Sequence, residues 1–280
     1  MGSSPPPRPL VSVVITVRNE GPHIRRLFES LLVQEPPFEV VLVDALSHDE
    51  TYSIAQEYAR KFPDRIRVFQ RFGSRGIGRN AGASASRGEY LAFTDGDCVA
   101  DSQWLTRLRA AVAETGVAAG RVVPFGKSQY AALDRVELFL KGSDVTHPSC
   151  NLAYRRELFE QLNGFDPRFI TAEDIDLNLR AVQRGASIRE VPEAVVYHEM
   201  RTTFIRFLIQ AFWNGYGRKQ LTEKHGTLWG NYRIRRLLQT QRTVIAWARL
   251  TAAMAGYLVR VMTGGERRLS AEPATGGGPA

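Results

Sequence analysis

Two aspartates one residue apart, Asp95 and Asp97 in FTDGDCVAD (93–101), directly follow the apolar run EYLAF. A carboxylate pair where a buried strand becomes a loop suits a hard divalent cation. Mg2+ and Mn2+ take carboxylate and phosphate oxygens. Gly96, between the aspartates, allows the backbone a sharp turn. One carboxylate can then hold a metal while the other reaches a sugar or ribose. Taken alone the spacing carries little, because D-x-D also occurs in solvated turns. Its meaning depends on what the fold sets beside it.

LVSVVITV (10–17), FEVVLVDA (38–45), IRVFQ (66–70) and GEYLAFTD (88–95) read as strands, the first two with the continuous apolar character of burial on both faces. The segment after the first strand, GPHIRRLFESLLVQ, has Ile24, Leu27, Phe28, Leu31 and Leu32 at helical spacing. DETYSIAQEYARKF (49–62) is a second helix with Asp49 as its N-cap. GIGRNAGASAS reads as a Gly/Ala-rich turn leading into a tightly packed helix. Alternating strands and helices predict a parallel sheet covered on both faces, with right-handed crossovers. Such sheets bind ligands beyond the carboxyl ends of their strands. The residues expected to converge there are Arg18-Asn19-Glu20, Asp44, the stretch Arg71 to Arg79, and Asp95-Gly96-Asp97. Carboxylates beside a basic, glycine-rich loop suit a phosphorylated ligand bridged by a divalent metal. GIGRNA (76–81) matches the dinucleotide pattern G-x-G-x-x-A. That reading is rejected, because the motif belongs after the first strand.

Beyond Asp97 the pattern changes. SQWLTRLRAAVAE (102–114) predicts a helix, GVAAGRVVPF (116–125) a strand and DRVELFLKG (134–142) a helix. SCNLAYRRELFEQLNGFD (149–166) predicts a short strand and a helix ending at Gly164, and AEDIDLNLRAVQRG (172–185) a helix capped by Gly185. ASIREVPEAVVYHE supplies one or two short strands. Residues 203–262 read as two long helical stretches joined near HGTLWGNY. In the second, Arg235, Arg242 and Arg249 recur every seven residues. Ile234, Leu237, Leu238, Val244, Ile245, Ala248 and Ala252 lie largely opposite, which makes an amphipathic helix with a basic stripe.

Charge is uneven along the 280 residues. The net +8 divides into 13 Lys+Arg against 3 Asp+Glu from Arg201 onward, and 24 against 26 before it. A near-neutral body with a basic tail points to an anionic partner for the tail, a membrane surface or nucleic acid. No nucleic-acid-binding module is recognisable, and the basic residues cluster away from the cleft. Cys98 and Cys150 form no CxxC pair, so neither a zinc site nor a disulfide framework is expected, and packed small residues in a reducing compartment are. Residues 1–9 and 263–280 read as a disordered lead-in and tail, and MGSSPPPRP lacks the apolar core of a secretory signal.

Taken in order, these segments resemble the family 2 glycosyltransferases, which have the GT-A fold. VSVVITVRNE is similar to the family's opening strand, VVLVDALSHDET to its V-V-D-D-G-S-T-D-G-T segment, and GIGRNAGASASRGEYLAFTDGDC to the run from A-R-N-x-G to D-x-D. CNLAYRRELFEQLNGFDPRF, AEDIDLNLRAVQRG and VYHE resemble the acceptor-side segments. The match covers about residues 10–200, and the order of six segments makes it specific. It implies an α/β GT-A domain at 10–200, divided into a nucleotide-binding half (10–97) and an acceptor half (98–200), with a basic helical extension at 201–262.

The resemblance also implies roles. Thr16, Val17 and Arg18, with Glu20, would line the nucleoside pocket, and Asp44 would bond the base. Arg79 would sit near the base or diphosphate, and Asp95 would contact ribose or sugar. Asp97 and His198 would bind Mn2+ or Mg2+, and Asp174 would be the general base. The family's aromatic after the first strand is Arg18 here, and its second aspartate after the second strand is Ala45. The implied activity is transfer from a UDP- or GDP-sugar to an acceptor hydroxyl with inversion. The acceptor would be a lipid-linked or other membrane-held molecule, and the chain would attach peripherally to the inner face of a membrane from the cytoplasm. A nucleotidyltransferase and a nucleotide-sugar-binding protein without activity remain as alternatives. A true span by TVIAWARLTAAMAGYLVRVM (243–262) is the close alternative to lying on the membrane surface, and a helical pair that packs on the catalytic domain or forms a homodimer is the alternative to membrane attachment.

Overall fold

The computed structural model describes residues 10–126, 135–199, 203–232 and 243–264. Strands β1 (Val11–Val17), β2 (Phe38–Asp44), β3 (Ile66–Gln70) and β4 (Tyr90–Asp95) alternate with helices α1 (Gly21–Leu32), α2 (Thr51–Lys61) and α3 (Arg75–Ala85). A three-residue strand β5 (Cys98–Ala100) follows, then α4 (Trp104–Thr115) and β6 (Gly116–Phe125). The second half contains a small hairpin, β7 (Phe139–Leu140) and β8 (Ser143–Asp144), then β9 (Leu152–Arg155) and α5 (Arg156–Gln161). It continues through α6 (Glu173–Gln183), β10 (Ser187–Glu199), α7 (Phe204–His225) and α8 (Val244–Thr263).

The main sheet has the order β3-β2-β1-β4-β9-β6-β10-β5. Its β1–β4 half is parallel, as is the β6–β10 pair. β9 and β5 run antiparallel to their neighbours, so the sheet is mostly rather than wholly parallel. Each face carries its own apolar layer. Ile15, Leu27, Phe28, Leu31 and Trp104 lie on one, and Val14, Phe93, Phe165, Leu177 and Val182 on the other. Burial on both faces is why the strands read as continuous apolar runs.

Three local expectations need correction. GIGRNA is not a turn before a helix, because α3 already starts at Arg75, capped by Ser74. Its glycines serve close packing. A Cβ on Gly78 would lie 2.5 Å from Thr16 Cγ2, and one on Gly82 2.5 Å from Val14 Cγ1, so only glycine lets α3 sit down on β1. Asp49 stands one residue before the observed cap, Glu50. Its carboxylate accepts from Thr51 N at 3.0 Å and from Gly21 N at 3.1 Å, so it serves the starts of two helices. The described part of DRVELFLKG, from Arg135 onward, is no helix. Lys141 (φ 46°) and Gly142 (φ 85°) form a tight turn that pairs Phe139 with Asp144 and Leu140 with Ser143. Two central residues at positive φ are the signature of a two-residue hairpin turn, and they override the helical spacing.

α7 and α8 run side by side in the same direction. Gly215 meets Ala253, Lys219 meets Tyr257, and Glu223 meets Arg260, so the contacts advance together. Of the basic stripe, Arg235 and Arg242 lie outside the described residues. So do the lead-in, residues 265–280 of the tail, and the side chain of Trp229.

Candidate active site

The carboxyl ends of β1, β2 and β4 bring the first group of expected residues to one edge. At the end of β1, Thr16 is half-buried and Val17 buried, and Arg18, the next residue, is exposed. Asn19 adopts the left-handed region (φ 57°). Its N–H donates to Ser47 Oγ at 2.9 Å, and its Oδ1 accepts from His48 N at 2.9 Å. These bonds lash the β1–α1 turn to the β2–α2 loop. Asp44 is fully buried and organises that loop. It accepts from Ser47 N at 3.0 Å, from Gln70 Nε2 at 2.9 Å and from the Ser47 hydroxyl.

Gly96 lies in the expected turn between β4 and β5, reached without a left-handed φ. A Cβ there would lie 2.7 Å from Val17 Cγ1 and 2.9 Å from Glu20 Cγ. The missing side chain lets the β4 loop press against the β1 turn, and this brings Glu20 beside Asp95-Gly96-Asp97.

Asp95 is held by Arg79. The Arg79 guanidinium, 1% exposed, donates to Asp95 Oδ1 at 2.7 Å and to Glu173 Oε1 at 2.8 Å, with the Phe165 ring 5.5 Å away. Burial works against the Arg79 charge, but the two carboxylates hold its pKa above the ordinary value. Glu173 moves up, first through burial and then through the neighbouring Asp174 charge, against the pull of Arg79. The bridge joins the end of β4 to the start of α6, the next residue of which is Asp174. Two expected elements of the site, far apart in sequence, are thus tied through one buried cation.

Asp174 stands on the first turn of α6, half-exposed, after Ala172 in the left-handed region (φ 64°). Its Oδ2 accepts from Ser149 N at 3.1 Å. Ser149 went unnoticed in the sequence, as did Asn151, which is fully buried and takes a hydrogen bond from Trp104 Nε1 at 2.8 Å. The only signal was the polar trio Ser149-Cys150-Asn151 before the buried β9.

Asp97 and His198 form the third group. His198 Nε2 lies 3.2 Å from Asp97 Oδ1, and both side chains are about one-quarter exposed, at 27% and 23%. The β5–β10 pairing makes the meeting inevitable, since His198 is in register with Cys98. Burial pushes Asp97 up, but His198 holds it below the usual carboxylate range. Burial pulls the His198 imidazole down, yet the Asp97 hydrogen bond and charge leave it pushed up to about 9. A carboxylate oxygen and an imidazole nitrogen at this separation, open to solvent on one side, fit a divalent cation. Glu199 closes the rim through ion pairs to His23 at 3.1 Å and to Arg26.

The mostly parallel sheet flanked by helices is the architecture of GT-A type glycosyltransferases. The model of glycosyl transferase family 2 matches residues 12–162, and the chain belongs to that family. The relative AglE, a glycosyltransferase of Haloferax volcanii, is 30% identical over 227 residues, covering 76% of this chain and 74% of that one. EpsJ of Bacillus subtilis is 32% identical over 212 residues (68% and 61%). The pre-mycofactocin glycosyltransferase of Mycobacterium tuberculosis is 30% identical over 223 residues, and the match spans only 46% of its length. Among solved structures, the mannosyltransferase PcManGT from Pyrobaculum calidifontis, in complex with GDP-Man and Mn2+, superposes with a TM-score of 0.62 at 22% identity. The superposition covers 92% of this chain and 76% of that one. TarS of S. aureus (residues 1–349), in complex with UDP-GlcNAc, gives 0.57 at 19% identity, covering 91% and 92%.

Proposed function

We propose that the chain transfers a sugar from a nucleotide-diphosphate sugar to an acceptor hydroxyl with inversion. Asp174 takes the hydroxyl proton, and Asp97 and His198 hold Mn2+ or Mg2+ against the donor diphosphate. Thr16 to Arg18, Glu20 and Asp44 shape the nucleoside side of the cleft, with Arg79 and Asp95 at its floor. The observation that carries this reading is the Asp95–Arg79–Glu173 bridge. It joins the donor-side aspartates to the helix start bearing Asp174, as an attack from the face opposite the leaving nucleotide requires. General-base assistance contributes roughly 10²–10⁴-fold. Once bound, the cation would supply Lewis-acid stabilisation of the departing diphosphate. The GDP-Man and UDP-GlcNAc named with the two solved structures make GDP- and UDP-sugars the first donors to try. A thermal-shift screen of UDP-, GDP- and dTDP-sugars with and without Mn2+ tests the reading, since a ligand that binds the folded state raises the melting temperature. A Mn2+-dependent rise with one donor class is expected. Equal response to nucleoside triphosphates alone would favour a nucleotidyltransferase.

The α7–α8 pair attaches the enzyme to the cytoplasmic face of a membrane and lies along it, so that the acceptor is a lipid-linked or otherwise membrane-held molecule. α8 is long and apolar enough to span, with 11% of its most apolar window buried. Its outward face shows Val244, Trp247, Met254, Leu258 and Val261, and α7 adds Ile205, Ile209 and Trp213. The carboxyl half of α8 runs beside the part of α7 that docks on the catalytic body. Arg260 binds Glu223 at 2.8 Å, and Lys224 binds Asp166 and Asp176, each at 2.7 Å. A crossing α8 would drag those ion pairs into hydrocarbon, which supports a helix lying in the interface.

A further inference from the structure

In the turns after β1, β2 and β3 (18–20, 45–50 and 71–74), Phe72 carries the only phenyl, phenol or indole ring. It is 75% exposed. Single exposed apolar residues are common on protein surfaces, but this one has a particular place. Asp44 and Gln70 are paired across β2 and β3, and Arg71 N extends the pairing by donating to Asp44 O at 2.9 Å. Phe72 comes next, at the carboxyl edge where open α/β sheets take their ligands. Its backbone is fixed from both sides. Ser74 caps α3, and Gly73 (φ 149°) lies so close over that helix that a Cβ would be 2.7 Å from Ile77 Cγ2. Leu46, two residues beyond Asp44 as Phe72 is two beyond Gln70, is 40% exposed and takes the left-handed region (φ 56°). A bulky side chain seldom holds that conformation, and such strain gathers at ligand sites. Arg71 and Arg75 on the same turn, and Arg18 after β1, are exposed, and residues 71–79 include no acid. An apolar face among guanidinium groups suits a flat ring joined to an anion. Asp44 is fully buried, with its oxygens taken by Ser47 and Gln70, so a base has to gain its affinity from another surface.

We propose that Phe72 is the platform on which the donor's nucleobase stacks, and that this ring distinguishes a nucleoside diphosphate from a diphosphate without a base. Phe72 follows β3 and Asp97 follows β4, at opposite ends of the row β3-β2-β1-β4. A nucleotide laid along that row puts its base at one end and its diphosphate at the other. Stacking asks only for a π-face, which every base has, so the platform serves pyrimidine and purine alike. The proposal rests on the reading of the chain as a nucleotide-sugar transferase.

Calorimetry of the full chain with UDP, GDP and dTDP, each with Mn2+, is the test. Phe72→Ala should weaken whichever nucleotide binds by about 5–150-fold, the scale of base–aromatic stacking. Phe72→Tyr should keep the affinity. Phe72→Leu, which retains apolar bulk and loses the ring, should fall with Phe72→Ala. Pyrophosphate with Mn2+ should bind the variants and the unaltered chain alike, since it has no base. The melting temperature without ligand should stay in place, because the ring is exposed. Equal nucleotide affinity in Phe72→Ala and the unaltered chain overturns the platform and leaves the donor reading standing. Affinity kept in Phe72→Leu, or pyrophosphate weakened in step with the nucleotides, overturns stacking. Unchanged nucleotide binding with weaker flotation on anionic vesicles overturns it too and assigns the ring to the membrane. An unaltered chain that binds none of the three nucleotides overturns the donor reading, and the platform with it.

Discussion

The catalytic body and the α7–α8 pair use the same kinds of residue in opposite senses. In the body apolar side chains face inward, and Val13, Val14, Ile15, Leu42 and Phe93 are wholly buried. In the pair they face outward, with Val244 at 86%, Met262 at 76% and Ile205 at 71% exposure. The helices instead meet through small residues. A Cβ on Gly215 would lie 1.7 Å from the carbonyl oxygen of Ala253, and one on Gly256 1.9 Å from that of Phe212. Polar contacts complete the join, including Arg260 to Glu223 at 2.8 Å and to the Tyr216 hydroxyl at 3.2 Å. Close glycine crossings with polar cross-links are how helices associate where water supplies no hydrophobic drive. The body folds against itself, and the pair leaves its apolar side chains facing outward, as the proposed membrane attachment requires.

The sharpest way to break the comparison is to remove a charge where the body is driest. Arg79→Met leaves Asp95 and Glu173 without their shared cation. Removing one partner of a buried ion pair typically costs about 3–5 kcal/mol. We expect the largest stability loss here, read as a fall in the denaturation midpoint, and a donor-binding defect with it. A midpoint near that of the unaltered chain would mean that solvent already reaches the bridge.

Asp174→Asn tests the chemistry the body supports. Donor binding should persist while turnover falls by roughly 10²-fold or more, the scale of general-base catalysis, or about 2.7 kcal/mol on the barrier. Calorimetry and single-turnover kinetics on the same preparation separate the two effects. Near-normal turnover with intact folding would assign the proton to another group.

The junction between the regions is polar and should yield more easily. Asp176 is pushed up by burial, but His225, Arg180 and Lys224 together hold it below the usual carboxylate range. Asp166 is likewise held down, by Arg168 and Lys224 against burial. Depressed carboxylates stabilise the folded state above their unfolded values near 4, and that contribution is lost as pH falls through the folded values. α7 should therefore stay docked through mild acid and release only below the ordinary carboxylate range. Lys224→Met should move the release to higher pH and cost about 1.5–3 kcal/mol, as for a hydrogen bond to a charged group. The fluorescence of Trp213 during an acid titration reports it. An unshifted release would show that Lys224 contributes nothing to docking.

How much of this was legible in the sequence follows from which forces are local. β1 to β4 and β6 could be placed within a residue or two because burial on both faces writes an unbroken apolar run. Gly185 was legible as a helix end because the left-handed residue it supplies is a local demand, whereas α5 stops at Gln161, three residues before the expected Gly164, with Asn163 (φ 57°) as the first left-handed residue after its cap. The 134–142 segment misled because its apolar spacing fits a helix, whereas Lys141-Gly142 decides the matter by turn geometry. The partnership of Arg79 with Asp95 and Glu173 was not legible, since partners 16 and 94 residues away are set only by packing. Nor was the direction of Arg260. No local signal aims it at another helix, while the structure turns it onto α7, which leaves the apolar stripe as the outer face. Arg249 is half-buried for its part.

The smallest expected effect sharpens the comparison from the outside. Trp213 and Trp247 are 39% and 54% exposed on the outer faces of α7 and α8. Had they been body residues, Trp→Ser would destabilise the fold. On an interfacial face it should leave the melting temperature unchanged and weaken membrane binding instead. Losing part of an aromatic side chain's burial costs about 1 kcal/mol, roughly fivefold in vesicle affinity for each site. Flotation with vesicles containing anionic lipid reads this directly. The unaltered chain should float at low salt and be released by carbonate, since helices lying in the interface hold by shallow insertion and by charge. Loss of flotation should be partial for either single variant and deeper for the double. Retention through carbonate would mean that α8 crosses the bilayer despite its ion pairs to α7. A chain that ignores vesicles and elutes as a dimer, with Trp247→Ser returning it to a monomer, would assign the outward apolar face to a second copy of the chain.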